Sequence, residues 1–301
     1  MSLQNASIKL TYFIIGGFDT VKRPVAVGVV MLITYLLAVF ASLVNIIFIV
    51  SDKQLHKPMY LLICNLAVVD ILYTSSSTPT MIGVLLAGVN TISYVECIIQ
   101  MYVYQVGATM EMFSLTIMAF DRLIAIIYPL QYHSYLTITR TVVFTYILWI
   151  VACSLVLFTL VTATPLPHCN SRLRYTFCDY AAVMRTTCVN PEKYFNQVAI
   201  ISFFVSFFTF TFICLSSNND KKKMGSTLVS HLICVSCLYC PQFIIVILTR
   251  FGVVLTLEER QGLLIGTILG PSLVNPFVYF LRTKEIKSKM FKIFRKINTA
   301  G

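Results

Sequence analysis

The sequence predicts an all-α membrane protein: a bundle of seven transmembrane helices with an extracellular amino terminus and a short cytoplasmic amphipathic eighth helix. Three observations carry this reading. Of 301 residues, 57% are hydrophobic and only 12% are charged, whereas soluble domains carry about a quarter of charged residues. Seven apolar stretches each supply the roughly 20 helical residues needed to cross a hydrocarbon core of about 30 Å. Lysines and arginines gather between alternate stretches and in the tail. The same composition argues against a disordered chain, a disulfide-stapled miniprotein and a nucleic-acid binder, so no nucleic-acid partner is expected despite the net charge of +11.

The stretches fall at about 24–50, 58–86, 95–120, 141–163, 195–216, 227–249 and 262–281, the last two weakened by Pro241 and Pro271. With one exception the connecting segments are too short to fold alone, so residues 1–301 read as a single domain. With the amino terminus outside, the cytoplasmic side receives Lys53, Lys57, Arg122, Arg140, Lys221, Lys222, Lys223 and the basic tail. That is more than half of the 23 basic residues, as the bias of positive charge toward the cytoplasm requires. The first twenty residues lack the basic start and long apolar run of a cleaved signal, so the first span is expected to act as an uncleaved anchor. Asn5-Ala6-Ser7 is then a glycosylation sequon facing the lumen. Residues 284–297 place Ile286, Met290, Phe291 and Phe294 at helical spacing among lysines. Such a helix lies on the membrane surface and attracts anionic lipid, and its lack of cysteine removes palmitoyl anchoring.

The ten cysteines divide by compartment. Cys64, Cys153, Cys214, Cys234, Cys237 and Cys240 lie in spans and read as packed thiols. The run from Cys234 to Cys240 has iron–sulfur spacing but lacks a fourth ligand. Cys97, Cys169, Cys178 and Cys188 fall on the oxidising side and suggest two disulfides, for which three pairings are open. Three of these four sit in the longest loop, about 165–193. A bridge from that loop to the third span would hold it across the mouth of the bundle.

Charge inside a span is costly and marks function. Asp70 lies midway along the second span and Glu111 within the third, with Asn45, Ser114 and Asn275 as polar neighbours. A sodium ion or a proton bridging them is the expected arrangement, the alternative being a neutral structural pair. No cofactor is required. Asp121-Arg122 ends the third span and reads either as an interfacial ion pair or as a switch whose arginine meets an intracellular partner. On the outer side, Arg172, Arg174, Arg185, Arg250, Arg260, Glu258 and Glu259 form a solvated rim, the alternative being steering of an anionic ligand.

The segment Met118 to Tyr132, MAFDRLIAIIYPLQY, resembles the MAYDRYVAIC-x-PL-x-Y signature of vertebrate odorant receptors, a branch of the rhodopsin-like G-protein-coupled receptors. So do LHKPMY at Leu55–Tyr60, STLVSHL at Ser226–Leu232 and PSLVNPFVYFLR at Pro271–Arg282. Gly17-Phe18 and Phe177-Cys178-Asp179 fit further motifs of the family, so the resemblance covers nearly the whole chain. It implies disulfides Cys97–Cys178 and Cys169–Cys188, and makes Asn45, Asp70, Trp149 and Asn275 helix-core markers. It also puts an acid at Glu111 and leaves Asp121, Arg122, Asn275 and Tyr279 to act in G-protein coupling. Phe120, Leu123, Ile127, Leu228 and the Leu238-Tyr239-Cys240 run depart from the pattern, and Pro241 fits a fish-like or otherwise divergent member.

By the same resemblance, the position that holds the amine-binding aspartate of aminergic receptors is Tyr104, so a charged amine is disfavoured. Tyr104, Gln105, Ala108 and Thr109 on the third span and Tyr239, Gln242 and Val246 on the sixth then line a mostly apolar pocket. The pocket suits a small neutral organic molecule. The resemblance implies an odorant receptor in the plasma membrane of olfactory cilia, partnered by a small-molecule odorant, a heterotrimeric G protein of the stimulatory type that raises cyclic AMP, and membrane lipid. The alternatives are a non-olfactory receptor of the same class for a neutral or anionic ligand and, more distantly, a transporter, for which an internal repeat is missing. His56, His133, His168 and His231 are dispersed and no HExxH, GxSxG or phosphate loop occurs, so no enzyme is expected.

Overall fold

The computed structural model describes residues 10–218 and 256–282. Their elements run β1 (Tyr12–Ile15), α1 (Pro24–Ser51), a 3-10 turn (Lys53–Leu55), α2 (Pro58–Ala87), β2 (Thr91–Ser93), α3 (Tyr94–Ile127), α4 (Tyr132–Tyr135), α5 (Ile138–Ala163), β3 (Arg172–Leu173), α6 (Tyr180–Met184), α7 (Glu192–Asn218) and α8 (Leu257–Arg282). The long helices α1, α2, α3, α5, α7 and α8 cover the spans expected at 24–50, 58–86, 95–120, 141–163, 195–216 and 262–281. The span expected at 227–249, with Tyr239, Gln242 and Val246, lies outside the described residues, as do Asn5 and the surface helix at 284–297.

Local chemistry sets the helix ends. Pro24 and Pro58 open α1 and α2, where a missing N–H costs nothing. Gly88, at φ 67°, closes α2 by donating its N–H to the Gly83 carbonyl. Ser93 and Glu96 cap α3 reciprocally: the Glu96 N–H donates to Ser93 Oγ and the Ser93 N–H to the Glu96 carboxylate. Thr256 and Glu259 repeat this device ahead of α8.

Two expectations need correction. The third helix does not stop near 120 but runs to Ile127, so Asp121-Arg122 sits inside it rather than at its end. Likewise Pro271 does not interrupt the last span, because α8 passes through both Pro271 and Pro276. Ser272 Oγ donates to the Ile268 carbonyl at 3.0 Å and Asn45 Nδ2 to the Pro276 carbonyl at 3.3 Å, so side chains serve backbone acceptors in the turns the prolines disturb.

Polarity is inverted relative to a water-soluble protein. Ser42, Asn45, Asp70, Thr74, Ser77, Glu111, Ser114 and Asn275 are each at most 2% exposed. Meanwhile Ile33, Leu36, Phe40 and Ile47 of α1, and Val143, Ile147, Ile150 and Phe158 of α5, are about half exposed or more. Apolar faces of this extent are stable only against hydrocarbon. By length and composition α1, α2 and α5 are each able to cross a bilayer. The longer α3 carries Glu96, Glu111, Asp121 and Arg122.

One end of the bundle is closed by a small sheet of order β2-β1-β3. The amino-terminal strand is central, antiparallel to β2 with Phe13 opposite Ile92 and parallel to β3 with Ile14 beside Arg172. Disulfides Cys97–Cys178 and Cys169–Cys188 lie at this end, with Cα separations of 5.3 and 5.1 Å. Gly17 lies so close to the Tyr175 and Thr176 backbone that a Cβ would collide with it. That close approach lets Phe18 share a buried cluster with Phe177 and Tyr73. His168 is packed edge-on between Phe13 and Tyr94, each 5.7 Å from its ring. Since the Thr186 hydroxyl spends its proton on the Val183 carbonyl, His168 Nδ1 donates to Thr186 and Nε2 is a bare, buried acceptor. Burial accordingly holds this imidazole below its ordinary pKa.

Two measurements check this end of the molecule. Gly17→Ala is expected to destabilise the receptor by about 1–3 kcal/mol through overpacking, seen as a lowered thermal midpoint in detergent. Gly83→Ala, whose Cβ meets open space, should be neutral or gain about 0.5–1 kcal/mol. His168 binds its proton less readily folded than unfolded, so its contribution to stability is present above about pH 6.5 and lost as the pH falls below it. The thermal midpoint of the wild type should fall on acidification through that range, and that of His168→Gln should fall less.

Candidate functional site

The buried acids meet at one amide. Asn275 on α8 donates through Nδ2 to Asp70 Oδ1 on α2 and to Glu111 Oε1 on α3, both at 3.1 Å. Among the described residues, Glu111 Oε2 and Asn275 Oδ1 have no hydrogen-bond partner. Three helices thus converge on two carboxyl groups and an amide, with two acceptor oxygens unmet. The structure separates Ser114 from this set: its hydroxyl accepts from Asn65 Nδ2 at 2.8 Å, and Asn65 Oδ1 accepts from Trp149 Nε1 at 2.9 Å. Asn45 is committed to the Pro276 carbonyl. Among the described residues there is no cluster of three or more histidine, cysteine or acidic side chains able to hold a metal ion.

Toward the disulfide-bearing end, the expected pocket residues of α3 divide between two neighbours. Tyr104 and Ala108 face α2 and α8, sharing a cluster with Tyr73, Phe177 and Ile268. Tyr104 stacks on Tyr73 at 5.0 Å, takes a hydrogen bond from its hydroxyl at 3.3 Å, and meets Phe177 edge-on at 4.8 Å. Gln105 turns toward α5, where its Oε1 accepts from Thr159 at 3.5 Å. Thr109 Oγ1 donates to the Gln105 carbonyl and so is satisfied within its own helix. Tyr73 and Phe177, both fully buried, are neighbours of Tyr104 that sequence reasoning passed over. Phe177 carried a signal, its place beside Cys178, whereas Tyr73 is one apolar-looking residue on a helix whose facing the sequence does not fix.

At the opposite end, Asp121 is 2% exposed and accepts from the Tyr132 hydroxyl at 2.7 Å. Arg122 Nε stands 3.8 Å from the other Asp121 oxygen. The acid therefore links α3 to the short α4, a partner the sequence reading missed. Burial, then the Asp121 hydrogen bond and charge, raises the Tyr132 phenol above its ordinary range and keeps it a donor. Next to this link Leu130 is 99% exposed. Tyr279 lies in the last turns of α8. The outer charges are partly engaged: Arg172 pairs with Asp19 at 2.6 Å, Glu259 caps α8, and Arg185 lies over the Tyr175 and Phe195 rings at about 6 Å.

The sequence is similar to known proteins over almost its full length. A family model described as olfactory receptor matches residues 31–297. Olfactory receptor 1078 of Rattus norvegicus is 32% identical, covering 94% of this chain and 89% of its own. Olfactory receptor-like protein OLF4 of Canis lupus familiaris is 30% identical over 98% and 99% respectively. Olfactory receptor 7D11 of Mus musculus is 29% identical over 99% and 93%. The chain belongs to the olfactory receptor family, G-protein-coupled receptors that cross the membrane repeatedly and are not enzymes.

Proposed function

We propose that this receptor binds a small neutral organic odorant in the half of the bundle nearest the disulfides and activates a heterotrimeric G protein of the stimulatory type, raising cyclic AMP. The disulfide-bearing end is then extracellular, since such bonds persist in oxidising compartments, and the site of action is the plasma membrane of olfactory cilia. The observation that carries the reading is the stack of Tyr73 and Tyr104 beneath Phe177: a mostly apolar set of rings with two hydroxyls. Such a wall favours a neutral molecule with one hydrogen-bonding group. Gln105, Ala108 and Thr109 extend the wall along α3, and Tyr239, Gln242 and Val246 are its counterparts on the sixth span.

Binding acts by population shift: a ligand that fits the active arrangement better draws the bundle toward it. The Asp121–Tyr132 hydrogen bond is the contact to be broken, releasing Arg122 toward the G protein, with Asn275 and Tyr279 rearranging alongside. Leu130, exposed beside that contact, is the apolar anchor for the partner. The basic tail from Lys284 supplies contact with anionic lipid.

Between the two ends, Asp70, Glu111 and Asn275 hold a sodium ion or a shared proton, with Asn45 and Ser114 as flanking polar groups. The donor set supports this reading: carboxylate and amide oxygens suit a hard cation, and two of them lack partners among the described residues. A bound sodium ion supplies positive charge that offsets the paired carboxylates; Asn275 orients both acids whether or not the ion is present.

Cells expressing the receptor with a cyclic-AMP reporter are expected to answer members of a neutral odorant panel. Arg122→Ala should abolish the response at equal surface level, and Leu130→Asp should lower its maximum without moving the half-maximal concentration. Transport of the odorant without signalling would sink the receptor reading. Replacing external sodium is expected to shift the half-maximal concentration about fivefold or more, in line with ordinary allosteric coupling. In Asp70→Asn that sensitivity should vanish; indifference to sodium in both proteins rejects the ion site.

A further inference from the structure

Gln100, one helical turn from Tyr104 on α3, is 7% exposed and spends both of its polar atoms. Its Nε2 donates to the Ser76 carbonyl at 2.8 Å and to Thr80 Oγ1 at 2.6 Å. Its Oε1 accepts from the backbone N–H of Cys178 at 2.9 Å. One side chain therefore ties α3 to α2 and ties both to the loop. The two α2 acceptors flank Pro79, whose missing N–H leaves the α2 ladder one bond short at the neighbouring Ser75 carbonyl.

Cys178 also carries the disulfide to Cys97, and the preceding Phe177 is fully buried against Tyr104. A disulfide holds a sulfur atom, but the loop backbone still turns about the bonds between Cα and Sγ. A hydrogen bond to the N–H of the same residue removes that freedom. We propose that Gln100 is a positioning residue for ligand recognition: it fixes the depth at which Phe177 closes over Tyr104 and Tyr73, and thereby the length of ligand the receptor accepts. The inference rests on the odorant-pocket reading above and adds to it the group that sets the pocket's outer limit.

The test has two arms on the full-length receptor. In detergent, hydrogen exchange across residues 175–180 is compared for wild type, Gln100→Met and Thr80→Val. Gln100→Met keeps the volume and removes all three bonds; Thr80→Val removes one and leaves the Cys178 contact. The Cys178 amide should exchange faster in Gln100→Met with the Cys97–Cys178 bond intact, and close to the wild-type rate in Thr80→Val. In cells, cyclic-AMP responses to the n-alkanols from butanol to decanol are read. Gln100→Met should move the preferred chain length upward and raise the half-maximal concentration for the wild-type optimum about tenfold, the scale of one or two lost hydrogen bonds. In a cycle with Phe177→Leu the second substitution should add little to the first. Unchanged exchange overturns the proposal, as does an unchanged chain-length preference or an additive cycle. If Gln100→Met fails to reach the surface, Gln100→Asn, whose shorter amide cannot span both contacts, is read in the same assays. Silence of the wild type toward every alkanol counts against the pocket reading instead, and the exchange arm still decides whether Gln100 fixes the loop.

Discussion

A single amide nitrogen on Asn275 serves two carboxyl groups on two other helices, at a depth where all three residues are at most 2% exposed. In a low dielectric a carboxyl group without a partner is so unfavourable that helix positions follow the need to satisfy it. The close approach of α2, α3 and α8 is thus an electrostatic requirement as much as a packing result. Side chains farther out fall into place around it. Asn45 reaches the α8 backbone, Ser114 is secured by Asn65, and Asn65 by Trp149, so polar links cross from α1 to α5.

That central constraint separates two ends with opposite characters. At one end covalent bonds, a strand-paired sheet and stacked aromatic rings make a closed roof. At the other, one phenol–carboxylate contact between α3 and α4 stands beside a fully exposed leucine. Below that contact a buried cluster including Ile49, Leu55, Tyr60, Leu66, Leu115 and Met118 packs α1, α2 and α3 together. Packed interfaces rearrange between discrete states rather than bending continuously.

Much of the frame was legible in the sequence because hydrocarbon imposes a simple rule on composition. Asp70 and Glu111 stood out as charges where charges are costly, and Asn275 stood out through its motif. The reading lost ground where direction or distance mattered. By sequence Ser114 is a polar neighbour of the acids, yet its hydroxyl accepts from Asn65. The sequence places Asp121-Arg122 at the end of the third span, but the half-buried Tyr132 from outside the helix donates to the acid and the helix continues to Ile127. It let Pro271 weaken the last span, although neighbouring side chains serve the turn. The strand at Tyr12–Ile15 was invisible, since four residues without alternation form a strand only against partners from two distant loops. Tyr239, Gln242, Val246 and Asn5 fall outside the described residues, and the first three bear on the pocket only through the resemblance.

The central position of β1 carries a consequence for the order of events in biosynthesis. β2 leaves the ribosome after α1 and α2, and β3 only after α3, α4 and α5 have followed. The amino-terminal strand cannot be paired on both edges until then, and Gly17 cannot settle on the Tyr175 backbone before Tyr175 exists. The first residues made are therefore among the last on that face to be placed. Until then β1 keeps an unpaired edge, which makes the closing of this sheet a late step in the maturation of the chain.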